Sequence, residues 1–185
     1  MLAFISLTNT NSMEVEMLNS MKHKLGLVAV LTFFSAGVAL SGPPWIAVEY
    51  PVNPHDPNTR GAFMTVRTYH HGDLTGFEIA GTAEGLVGGR RQTAKLDIRR
   101  LPQAGTYAVR WQKPANGSWA IVISTSRDGA HMASVLVDID AQGRVASVSV
   151  PSNTIENGRW QVPRRVSSAE LDAALRNAGG DLASR

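Results

Sequence analysis

The sequence predicts an all-β chain: an antiparallel β-sandwich with a short C-terminal α-helix. Three observations carry this expectation. Apolar and polar residues alternate with a period of two through most of residues 44–150, which puts one side of each strand in a core and the other in solvent. Turn formers interrupt the alternation at intervals of roughly 8–12 residues, the spacing of sandwich strands. From residue 167 the apolar period lengthens to that of a helix. At 185 residues and 43% hydrophobic content, the chain can bury one sizeable core.

The elements follow in order. Residues 44–51 form a strand bounded by prolines, and the proline-rich run 51–61 is irregular. In the next strand Phe63, Thr65, Arg67 and Tyr69 share one side, and Met64, Val66 and Thr68 the other. After a turn at His70-His71-Gly72-Asp73 comes a strand over 77–87, and Gly88-Gly89 returns it as a hairpin into 90–100. That returning strand has Ala94, Leu96 and Ile98 on one face and Lys95, Asp97 and Arg99 on the other. In residues 105–124, Tyr107, Val109 and Trp111 share a face, as do Trp119, Ile121 and Ile123. Pro114 stops the first strand and Asn116-Gly117 permits the positive φ of a tight turn, so the stretch reads as a core hairpin. Ala133, Val135, Val137 and Ile139 then face the core, followed by Ala146, Val148 and Val150, with a final short strand within 159–165. The tail opens with Ser167 three residues before Glu170, a capping-box spacing. Leu171, Ala174, Leu175 and Ala178 make an apolar stripe that needs a docking surface, the same domain's sheet ahead of a partner, and Gly179-Gly180 can end the helix.

Ahead of the sandwich the chain reads as an address. Lys22 and Lys24 precede an uncharged apolar run over 25–40, and Ala39-Leu40-Ser41 offers small residues to a signal peptidase. The run is short for a membrane span, so cleavage after Ser41 is expected, ahead of retention as an anchor helix. The expected organisation is an upstream mis-assigned start over 1–20, a signal peptide over 21–41, a β-sandwich domain over 42–166, and a helix and tail over 167–185.

Composition removes several function classes. The chain has no cysteine, which excludes disulfides, thiolate metal sites, cysteine nucleophiles and a lipoprotein anchor. Its net charge is +3 with scattered arginines, without the concentrated basic stripe of a nucleic-acid binder.

Gly105-x-Tyr107, a Pro/Gly turn, and Gly117-x-Trp119 with Ile121 and Ile123 make up a recognisable frame. Over residues 81–124 it resembles the C-terminal hairpin of exported immunoglobulin-like modules of the YtkA-like and FixH-like kind. The resemblance implies an immunoglobulin-like sandwich and an envelope location. The methionine-rich segment that would suggest a metal-handling member is lacking.

The candidate site residues are His55, His70, His71 and His131, all near turns. With Asp56, Asp73 and the thioether of Met132 they supply ligand types suited to copper or zinc. Adjacent histidines at a strand end are expected to point to opposite faces, so a copper site would need His55 or His131 to converge on one of them. The glycines of 81–91 lack the spacing of a phosphate loop. The pairs Arg90-Arg91, Arg99-Arg100 and Arg164-Arg165 serve as edge charges or as contacts for an anionic envelope polymer. Asn116-Gly117-Ser118 is formally a glycosylation sequon but reads first as a turn. No G-x-S-x-G motif occurs. The expected function is therefore a non-catalytic binding or structural accessory module of the cell envelope, secreted or periplasmic. Its expected partner is an envelope protein or an anionic polymer, with no nucleic acid and no membrane span after signal cleavage. The alternative is a periplasmic copper protein using the four histidines.

Overall fold

The strands of the computed structural model, which describes residues 43–129, 131–155 and 160–183, fall largely where the period-two alternation puts them. The expected signal peptide, 21–41, and the upstream residues 1–20 lie outside the described residues. The described residues belong to one compact unit.

The chain runs through β1 (Trp45–Glu49), β2 (Met64–His70), β3 (Asp73–Leu74), β4 (Ile79–Val87), β5 (Arg90–Lys95) and β6 (Asp97–Arg100). It continues through β7 (Thr106–Arg110), β8 (Ser118–Ser126), β9 (Met132–Ile139), β10 (Val145–Ser149), β11 (Ser152–Ile155) and β12 (Trp160–Pro163) to α1 (Ser168–Ala183). One sheet has the order β1-β2-β7-β6, with β3 added to the end of β2; the other has the order β10-β9-β8-β4-β5. All of these pairs are antiparallel. Lettering β1, β2, β4, β5, β6, β7, β8 and β9 as A, B, C, C′, D, E, F and G gives A-B-E-D against G-F-C-C′. That is immunoglobulin-like strand order, with β10 added outside G. The expected fold class is the observed one.

The two sheets share one core. Ile46, Met64, Val66 and Val109 enter it from the first sheet, and Trp119, Ile121, Ile123, Val135, Val137 and Ile139 from the second. Full burial of each such aliphatic side chain is worth about 1.5–3 kcal/mol. On β4 the inward positions are small: Gly81, Ala83 and Gly85 pair with Ile123, Ile121 and Trp119 on β8. A Cβ on Gly85 would stand 2.8 Å from the Trp119 ring, so the indole fills space that the glycine leaves.

Four expectations are corrected, two of them for one physical reason. Residues 90–100 are two strands: β5 belongs to the second sheet and β6 to the first. The alternation is unbroken because Ala94, Leu96 and Ile98 all pack on the same core, before and after the chain crosses between sheets. Residues 105–124 are likewise not a hairpin, since β7 pairs with β2 and β6, whereas β8 pairs with β4 and β9. Trp111 and Trp119 meet with their rings 6.1 Å apart, but from strands in different sheets. Along β10 a register shift between Val145 and Ser147 brings Val145, expected on the polar face, round to the core side, opposite Ile139. Val145 and Val150 then pack on the core, while Val148 keeps the expected face opposite Val137 but, on the edge strand, is 44% exposed. Finally, α1 continues through Gly179-Gly180 to Ala183. β12 pairs with β11, which the alternation did not suggest, as a separate two-stranded ribbon.

The helix begins as its capping box predicts. Ser167 Oγ accepts from the Glu170 amide at 3.3 Å, and Glu170 Oε2 accepts from the Ser167 amide at 2.8 Å. Ala174 and Leu175 then pack on Ala120 of β8 and Leu136 of β9, flanked by Leu86, Val122, Val166 and Leu171. The stripe thus docks on its own domain, covering part of the outer face of the second sheet. Among the described residues no helix is long and apolar enough to cross a membrane.

Candidate functional site

The fold divides the four histidines between the two ends of β2. His55 lies in the β1–β2 connection, beside the Met64 end of the strand, where its amide donates to Asn53 Oδ1 at 2.9 Å. His70 closes the opposite end, about 20 Å along the strand. There His70 pairs with Asp73 across a two-residue turn, His71-Gly72. Both turn residues have positive φ, 53° and 89°, the geometry of a type I′ hairpin turn. His71 is the one non-glycine among the described residues with positive φ, a conformation that costs an L-residue roughly 1–2 kcal/mol.

This turn corrects the expectation that the adjacent histidines point apart. The left-handed backbone at His71 brings its ring back onto His70, with centroids 4.2 Å apart in an edge-to-face arrangement, and His70 also meets the Phe77 ring. From the second sheet, the β8–β9 loop reaches the same place. Arg127 Nη1 donates to His70 Nε2 at 3.4 Å. Next to it Asp128 organises the loop, accepting from the His131 amide at 2.7 Å and pairing with His131 Nδ1 at 2.8 Å. His70 and His71 therefore come together, His131 lies on the loop whose Arg127 touches His70, and His55 is remote. No three of His, Asp and Glu converge in metal-binding geometry among the described residues.

A second feature lies on the outer face of the first sheet. Ile46, Met64, Val66 and Val109 point inward, so alternation turns Trp45, Ala47 and Glu49 of β1 outward with Thr65, Arg67 and Tyr69 of β2 and Thr106 of β7. Glu49 Oε2 pairs with Arg67 Nη2 at 2.8 Å and accepts from Thr65 Oγ1 at 3.1 Å. Over these side chains fold the β1–β2 connection, bearing Asn53, Asp56 and Asn58, and the β6–β7 connection, bearing Leu101, Pro102 and Gln103. The result is a polar cup of about 290 Å³. Two atoms in its floor are buried without a hydrogen-bond partner: Arg67 Nε and Thr106 Oγ1. These two residues are direct cross-strand partners.

The cup was not legible in the sequence. Thr65 and Arg67 read there as the polar side of a strand, and 51–61 as an irregular run. What buries Thr65 and Thr106 is the fold-back of two connections over the sheet, which leaves no periodic signal. A third concavity runs beside α1 on the second sheet, lined by Ala80, Ser124, Met132, Ser134 and Arg165 among others. Some of its polar groups are already engaged, with Ser124 and Ser134 hydroxyls 2.6 Å apart and Arg165 Nε on the Met132 sulfur.

No protein-family model matches the chain, and neither does any curated protein or solved structure.

Proposed function

We propose that this chain is an exported, non-catalytic binding or structural accessory module of the cell envelope, which offers the loops at the His70 end of the sandwich to a protein or anionic-polymer partner. The observation that carries the reading is the meeting there of connections from both sheets, with Arg127 of the β8–β9 loop on His70 of the β2–β3 turn. A rigid sandwich that holds exposed loops at one end is suited to recognition. The strained backbone at His71 supports the same assignment, because such conformations gather at functional sites. The basic n-region, apolar run and small residues over 21–41 support export.

The test has two arms. Protein recovered from the envelope fraction is expected to begin at Gly42 by intact mass; a mass that includes Met21 contradicts export. A photo-cross-linker in place of His71 is expected to give a discrete adduct on intact cells, weakened by Arg127→Ala. High salt releases the adduct's precursor if the partner is an anionic polymer. An adduct pattern identical to that from a cross-linker at exposed Val148 would sink the proposal.

A further inference from the structure

The geometry points to a saccharide-binding face on the outside of the first sheet: we propose that it takes a neutral, polyhydroxylated glycan, with one sugar hydroxyl seated between Arg67 Nε and Thr106 Oγ1 and a sugar ring stacked on Trp45. The cup lies towards the end of β2 opposite His70, only Trp45 bordering the His70 end across from Tyr69, and the inference does not rest on the assignment made to that end.

The unpaired atoms define the first requirement. Thr106 is 4% exposed, its hydroxyl is without a partner, and the residue lines the cup. A buried hydroxyl left alone is destabilising, and a buried guanidinium N–H more so. Because Arg67 and Thr106 face each other across the β2–β7 pair, their Cβ atoms stand about 5 Å apart. One ligand atom that both accepts and donates can therefore satisfy both. A hydroxyl does so by accepting from Arg67 Nε and bonding to Thr106 Oγ1.

Charge narrows the class. The carboxylates Glu49 and Asp56 line the cup, with Arg67 the one lining cation among the described residues. A phosphate or carboxylate ligand could accept from both atoms but would face both acids. An ammonium or metal cation offers no acceptor to Arg67 Nε. A neutral polyol offers both roles and meets the amide side chains of Asn53, Asn58 and Gln103 equally well.

The third observation gives the ligand its length. Trp45 is 43% exposed on the same face, directly across from Tyr69. The outward positions Trp45, Ala47 and Glu49 span about 13 Å along β1, room for an oligosaccharide more than a single ring. The apolar C–H face of a sugar packs on an indole, and its hydroxyls reach the polar floor beside it.

Titration of the purified protein with neutral trisaccharides of glucose and of N-acetylglucosamine, followed by calorimetry and tryptophan fluorescence, tests the proposal. Trigalacturonate and inorganic phosphate serve as anionic probes. At least one neutral probe is expected to bind with Kd on the order of 1 mM, with little salt dependence. Thr106→Val is expected to weaken that binding about tenfold while leaving thermal stability equal or raised, since the isosteric valine removes an unpaired buried hydroxyl. Trp45→Ala, at an exposed position, is expected to abolish it with the fold retained. The proposal is overturned if no neutral probe binds, if Thr106→Val and Trp45→Ala both bind as the wild type does, or if only the anionic probes bind and salt releases them.

Discussion

Gly105 shows how one residue ties the first sheet together. Its φ is +69°, and a Cβ there would lie 2.2 Å from the Thr75 carbonyl oxygen. Its own carbonyl accepts from the Thr68 amide at 2.8 Å, and Thr68 N–H and O–H hold both neighbouring segments. Gly105→Ala therefore meets backbone that cannot swing aside, and its expected cost is roughly 3 kcal/mol, read as a lower urea midpoint at unchanged slope. The glycine was legible in the sequence as part of the Gly105-x-Tyr107 frame. The close approach was not, because Thr75 lies on a different connection. The same limit applied at His70-His71, where the residues were visible as a pair but the turn conformation that joins their rings was not.

At the scale of an element, α1 is the part most completely specified by local sequence. Ser167, Glu170 and the stripe of Leu171, Ala174 and Leu175 fix its start and its docked face. Arg164 adds a bidentate contact, with Nη1 and Nη2 each 2.8 Å from a Glu170 oxygen. These bonds, with those from Ser167, hold the Glu170 carboxyl down at about 2 against an ordinary value of 4.5. A depressed folded-state pKa contributes stability that is whole above about pH 4.5 and is lost as the pH falls towards about 2. Glu170→Gln is expected to flatten this acid limb in urea titrations run across that range, and Ser167→Ala to cost about 1 kcal/mol at neutral pH. If Glu170→Gln keeps the full acid dependence of the wild type, the pairing does not operate in solution. The strands were legible as strands for an equally local reason, the two-residue period. Their partners were not: Ala94, Leu96 and Ile98 keep one rhythm while the chain changes sheets, and Asn116-Gly117 signals a turn without saying whether the next strand returns to its neighbour or crosses the core.

At the scale of the whole molecule, the outward faces of the two sheets are treated differently. The helix covers part of the second, and two folded-back connections build the cup on the first. Neither the cup nor the meeting of loops at the His70 end follows from composition or spacing, since each joins residues dozens of positions apart. The interleaved strand order also sets how the chain must find its structure in time. β2 and β4 lie centrally in their sheets, and each pairs with a strand far along the sequence, β7 and β8. Neither sheet can close until these distant segments have met, so the loop-closing entropy comes due before most of the core can reward it. Refolding followed by tryptophan fluorescence is expected on a scale of roughly milliseconds to seconds, and a microsecond phase carrying the full amplitude would contradict that order of events. Until those meetings occur, the free edges of β4 and β8 are open to another copy of the chain, so yield on refolding should fall as protein concentration rises.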